Sequence, residues 1–197
     1  MGAHALEASQ DPLSGQPETI RAFLGIGVPQ AQREVLAGYV AACGGPGDSL
    51  RWVSPGNLHL TLRFLGAVAP ARIEGLTTGL RRLRFSSFEV RLGGLRTFGR
   101  GRAVRVLWLG VEVGAAELTG LAGQAEDACR RVGLTPEPRP FNPHLTLARA
   151  RERSGVEVRE LPPLPAVPSW RVEEFALFQS LVTPAGAIYS VLRRFGG

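Results

Sequence analysis

The order of apolar runs and turn signals predicts an α+β chain folded as two related lobes that close on a shared cleft. Three observations carry this. A strand, helix, strand, strand order is readable in the first half and recurs loosely in the second. The tetrapeptide His-Leu-Thr-Leu occurs twice, at His59 to Leu62 and at His144 to Leu147, once in each half. The chain has 197 residues, 44% of them hydrophobic, and its connections contain no clear linker. A flexible N-terminal tail over 1–19 followed by one bilobal domain over 20–197 is therefore expected.

Each element has its own signal. Arg21 to Val28 is an apolar run of strand length, and Pro29 can open the first turn of the helix expected over Gln30 to Cys43. Gly44, Gly45, Pro46 and Gly47 stop that helix. A short strand from Leu50 to Val53 and a turn at Ser54 to Asn57 lead into a strand over Leu58 to Leu65. Ile73, Leu76, Leu80 and Leu83 recur at helical spacing, which predicts a helix over Pro70 to Leu83. Strands follow at Phe88 to Leu92 and Ala103 to Val113. Leu118, Leu121, Ala122, Ala125, Cys129 and Val132 share one face of a helix over Ala115 to Val132, and Gly133 suits its C-terminus. After a proline-rich turn, strands are expected at His144 to Arg149, Val172 to Ser180 and Ala187 to Phe195.

Composition narrows the chemistry. The chain carries 23 basic and 17 acidic residues, a net charge of +6, which favours an anionic partner. Every basic side chain is arginine, as a GC-rich coding sequence would also produce, and the planar guanidinium fork suits phosphate oxygens. Without lysine there is no Schiff base, no lysyl-nucleotide intermediate and no P-loop amine, so an ATP-dependent lysine-adenylating ligase is excluded. Cys43 and Cys129 stand far apart, which points to a reducing compartment and away from a zinc site. No signal-peptide core and no membrane span is legible, so a cytoplasmic protein is expected, with neither metal nor cofactor.

Side chains alternate across a strand, so His59 and Thr61 share one face while Leu60 and Leu62 share the other; His144 and Thr146 stand likewise against Leu145 and Leu147. Taken singly, a His-x-Thr is usually the wet face of a half-buried strand. Two copies that hold two of the three histidines give a pair of imidazoles, one able to take a proton and the other to give one. Threonine adds a neutral hydroxyl that neither repels a phosphate nor recruits a metal. Arg63 has the parity of His59, so an unbroken strand aims it into the cleft. Arg149 has the parity of the leucines and reaches a phosphate only if its strand ends or bends. Trp52, Phe64, Phe141 and Tyr189 are candidates to stack on bases, though aromatics on strands are more often core.

These residues resemble the two-histidine (2H) phosphoesterases, in particular the LigT-like RNA 2',3'-cyclic phosphodiesterases also known as 2'-5' RNA ligases. The resemblance rests on Arg21 to Pro29, Arg51 to Val53, Leu58 to Gly66, Val106 to Val111, Asn142 to Arg149 and Leu177 to Tyr189. It implies a bilobal fold of two antiparallel sheets, helices outside and a central cleft holding both motifs. It also implies a monomer acting on RNA with a 2',3'-cyclic phosphate end, hydrolysing it to a 2'-phosphomonoester, and in some members ATP-independent 2'-5' joining. By the same resemblance His59 is the acid, His144 the base, and Thr61 and Thr146 are phosphate contacts. A small cyclic nucleotide or ADP-ribose cyclic phosphate as substrate, and an RNA-binding protein without turnover, remain as alternatives.

Overall fold

The computed structural model describes residues 18–45, 48–158, 160–184 and 186–196; the expected tail lies almost wholly outside these. The strands are β1 (Ile20–Gly27), β2 (Leu50–Trp52), β3 (His59–Val68), β4 (Phe88–Arg100), β5 (Ala103–Val113), β6 (His144–Ala150), β7 (Trp170–Val172), β8 (Glu174–Thr183) and β9 (Gly186–Gly196). Between them lie α1 (Gln30–Cys43), α2 (Pro70–Leu80) and α3 (Ala115–Arg131), with a 3-10 turn at Pro55–Asn57.

Among the described residues the strands run in the order β7-β4-β5-β6-β3-β1-β8-β9, with β2 added to β6. All pairings are antiparallel. The two expected sheets are present as two halves, β3-β1-β8-β9 and β7-β4-β5-β6, joined along a narrow seam at the single pair Leu60 and Leu145. The chain fills the first half with its last two strands, so the lobes are not simply the two halves of the sequence.

The helices cover the face opposite the histidines. Leu36 of α1, Leu76 of α2 and Leu118 and Leu121 of α3 join Leu60, Leu62, Leu145 and Leu147 in one core. Burial of each such leucine is worth roughly 1.5–3 kcal/mol, which fixes which face of β3 and β6 turns inward. Cys43 and Cys129 are buried there, 1% and 0% exposed, as small apolar side chains.

Two strands depart from expectation. β4 was expected to end at Leu92 but continues to Arg100 through Gly93 and Gly94, where the ladder to β5 slips. A Cβ at Gly93 would lie 2.8 Å from the Glu112 side chain, so the glycine marks a close approach within the strand. The separate strand β7 covers the start of the run expected to form one strand from Val172 to Ser180. No helix of the described residues is long and apolar enough to cross a membrane.

Candidate active site

The two tetrapeptides build the same backbone. On β3, Thr61 pairs with Gly25 and Arg63 with Leu24, so Leu62 is one residue too many for its partner strand. On β6, Thr146 pairs with Trp108 and Ala148 with Leu107, so Leu147 is the extra residue. A bulge at the same point of each motif reverses the side-chain alternation beyond it. His59, Thr61 and Phe64 therefore share the less buried face of β3, and His144, Thr146 and Arg149 that of β6, while two consecutive residues, Leu62-Arg63 and Leu147-Ala148, turn inward.

Because the strand is bulged, Arg63 borders the cleft but turns its side chain inward. The side chain is buried, 8% exposed, and its guanidinium pairs with Glu126 on α3 and bonds the carbonyls of Phe64 and Thr135. Glu137 stands a further 3.8 Å from it. Arg63 thus ties α3 and the approach to β6 onto β3 and is spent on that joint. Arg149 goes the other way: the bulge turns it into the cleft, and its side chain makes no hydrogen bond or ion pair among the described residues.

Both imidazoles are aimed by main-chain carbonyls two residues upstream. Nδ1 of His59 lies 2.6 Å from the Asn57 carbonyl, and Nδ1 of His144 lies 2.7 Å from that of Asn142. A carbonyl can only accept, so Nδ1–H donates in both rings and Nε2 is left for the cleft. Thr61 Oγ1 is 3.0 Å from Nε2 of His59, where its hydroxyl can donate to the neutral ring. Asn57 is itself held, because its Nδ2 donates to the Ala187 carbonyl on β9 over 2.6 Å. With Leu60 opposite Leu145 in antiparallel register, His59 stands toward Thr146 and Thr61 toward His144.

The rings differ in what walls them. Phe23 packs at 4.6 Å and Tyr189 edge-on at 5.2 Å against His59, with Phe178 stacked on Phe23. Trp108 and Phe98 meet His144 edge-on at 5.6 and 5.4 Å. Burial pushes the proton affinity of His59 down, to a pKa of about 4; the Asn57 carbonyl works against this, and the charges of Arg149 and His144 add to it. His144 is lowered by burial too, with Asn142 opposing and Arg149 reinforcing the shift. At neutral pH the free site therefore presents two neutral imidazoles beside a guanidinium.

A cleft of about 1120 Å³ opens over this face, with Thr61, Phe64, His144, Arg149, Arg51 and Phe98 among its lining residues. The described residues contain no group of three or more His, Cys, Asp or Glu placed to hold a metal. Of the aromatic candidates, Phe64 is 49% exposed in the cleft, Phe141 lines the cleft while its other side packs on the core, Tyr189 flanks His59, and Trp52 packs against the core. Sequence reasoning missed the carbonyls of Asn57 and Asn142, although Asn-x-His-Leu-Thr-Leu is repeated in full. It also missed Gly25, where a Cβ would lie 2.9 Å from the Leu60 carbonyl and 3.5 Å from the His59 ring, and Arg51, Phe98 and Trp108.

The family model described as "LigT like Phosphoesterase" matches residues 26–108 and again 109–189, so each match contains one His-Leu-Thr-Leu. An RNA 2',3'-cyclic phosphodiesterase of Archaeoglobus fulgidus is 31% identical over 179 residues, 89% of this chain and 99% of that one. The enzyme of that name in Escherichia coli is 32% identical over 178 residues, 90% of this chain and 97% of the other. The crystal structure of E. coli LigT complexed with 3'-AMP superposes with a TM-score of 0.79 at 32% identity, covering 91% of this chain and 98% of that one.

Proposed function

The chain belongs to the LigT-like phosphoesterase family, and from that premise we propose that it hydrolyses the 2',3'-cyclic phosphate end of RNA to a 2'-phosphomonoester, using two histidines and no metal ion. One observation carries the reading: two imidazoles stand on adjoining strands with Nδ1 of each held by a main-chain carbonyl, His144 lining the cleft and His59 meeting it through Thr61, which lies 3.0 Å from its Nε2. The names of the relatives support RNA as the substrate.

In the proposed reaction His144 takes a proton from water as its oxygen attacks phosphorus. The bond from phosphorus to the 3' oxygen breaks, and His59 supplies that oxygen with a proton. Thr61 and Thr146 donate to the phosphoryl oxygens and Arg149 offsets their charge. The order of the two histidines follows the family resemblance. The free site sets a condition on it, because His59 is neutral until an anion arrives. A phosphate bound beside His59 opposes the effect of burial by pairing with the charged ring, and offsets the smaller effect of Arg149, so that Nε2 takes up a proton from solution; the Thr61 hydroxyl, no longer accepted by that nitrogen, then turns to the phosphate. With an RNA 5'-hydroxyl in place of water, the same transfers give 2'-5' joining without ATP.

The test is RNA ending in a 2',3'-cyclic phosphate, incubated with the protein in EDTA, with the product read by phosphorus NMR. A 2'-monophosphate is expected. A 3'-monophosphate would reverse the proton roles, and loss of all turnover in EDTA would remove the metal-free mechanism.

A further inference from the structure

A transverse row of the second half-sheet enters the chemistry described so far only through Arg149. Arg51 on β2 pairs with Arg149 on β6, Arg149 with Val106 on β5, and Val106 with Phe98 on β4. Residues directly paired across antiparallel strands show their side chains on the same face, so Arg51 and Arg149 stand side by side at the cleft. Like charges so placed repel: burial lowers the proton affinity of Arg149, Tyr189 opposes that shift, and Arg51 adds to it. Arg51 is exposed and its side chain has no ion pair or hydrogen bond among the described residues, and the same holds for the side chains of Arg100, Arg105 and Arg153 farther along the cleft wall. A guanidinium pair with no carboxylate partner among the described residues costs the empty protein stability that an anion would return.

That anion is not the reacting phosphate. Arg149 lies four residues along β6 from the seam, roughly 10–13 Å, and Arg51 stands about one strand spacing, ~4.8 Å, beyond it. Arg149 acts on both histidines, whereas Arg51 is not among the influences on either. A terminal 2',3'-cyclic phosphate has one phosphorus neighbour, the phosphodiester on the 5' oxygen of the same nucleoside. We infer that Arg51, beside Arg149, forms a second anion subsite for the phosphoryl group on that 5' oxygen, so that the enzyme selects RNA ends over cyclic nucleosides lacking a 5' phosphate. The inference rests on the proposed function and adds its substrate selectivity.

Three substrates test it: a nucleoside 2',3'-cyclic phosphate, the same compound with a 5' phosphate, and a dinucleotide with a 2',3'-cyclic end. The two with a 5' phosphoryl group are expected to show a KM lower by about tenfold, as a charged hydrogen bond implies, with kcat little changed. Arg51→Gln should erase most of that difference, and Arg51→Lys should keep part of it. Arg130→Gln, an equal loss of charge on α3, should preserve it. Equal KM for all three substrates, or equal losses on all three in Arg51→Gln, would overturn the subsite and leave the proposed function standing. If the wild type turns over none of them, the proposed function fails instead. Calorimetric titration with a nucleoside 2',5'-bisphosphate against the 2'-monophosphate then decides the subsite by itself, through an affinity gap of about tenfold that Arg51→Gln removes.

Discussion

The two half-sites share a backbone and differ in what stands on it. Each places histidine, threonine and a bulged leucine in the same register, yet the residue that the bulge turns into the cleft is Phe64 in one and Arg149 in the other. The row beside His59 continues as Phe64, Phe23, Phe178 and Val191, and the row beside His144 as Arg149, Val106 and Phe98, with Arg51 on its other flank. One half is an apolar wall and the other a cationic one. Two identical imidazoles in identical strands thereby acquire different surroundings, which is what a reaction with one acid and one base requires.

The largest expected effect comes from the shared part. His59→Ala and His144→Ala should each lower kcat on a cyclic RNA end by about 10²–10⁴-fold, and the double variant should lose little more than the worse single one, because the pair acts as a unit. Additive losses measured by single-turnover kinetics would break the pairing. Next comes the contrast between the two arginines next to the motifs. Arg149→Ala should cost about 100-fold in kcat/KM with little change in unfolding midpoint. Arg63→Ala should lower the urea-unfolding free energy by roughly 3 kcal/mol, because it strands Glu126 and two carbonyls. Exchange of these two outcomes would mean that β3 lacks its bulge in solution.

A pH series sharpens the comparison further. His59 is depressed from 6.5 to about 4, so the unfolded chain binds the extra proton first. Its contribution to stability is complete above 6.5 and is lost as pH falls toward 4. Wild-type unfolding free energy should therefore drop across that window more steeply than that of His59→Gln. For activity, one proton shared by two depressed histidines places the kcat/KM maximum below pH 6.5, and Arg149→Gln should move it upward. The smallest effect is expected at the apolar wall: Phe64→Ala should raise KM about fivefold or more, the loss of one stacked base, and leave kcat near its original value.

Much of this was legible because it depends on local pattern. The ends of α1 at Gln30 and Cys43 and of β5 at Ala103 and Val113 are readable from turn signals and periodicity, and the shared face of each His-x-Thr pair, opposite its leucines, follows from alternation alone. Arg63 and Arg149 were not legible, since a bulge is a property of two strands in register and leaves no mark on one of them. The extension of β4 past Gly93 was hidden for the same reason, because paired glycines read as a turn until a partner strand is seen to run beside them.

The sequence by itself determined that two imidazoles and two hydroxyls would stand on the wet faces of strands, backed by leucines, and that amine chemistry is absent. Only the tertiary structure decided that the strands meet at Leu60 and Leu145, that main-chain carbonyls hold Nδ1 of each ring and leave Nε2 free of them, and that Arg63 is spent on an ion pair while Arg149 is not. The physical reason is that burial patterning acts along one strand, whereas register, bulges and proton affinity arise between strands far apart in the chain.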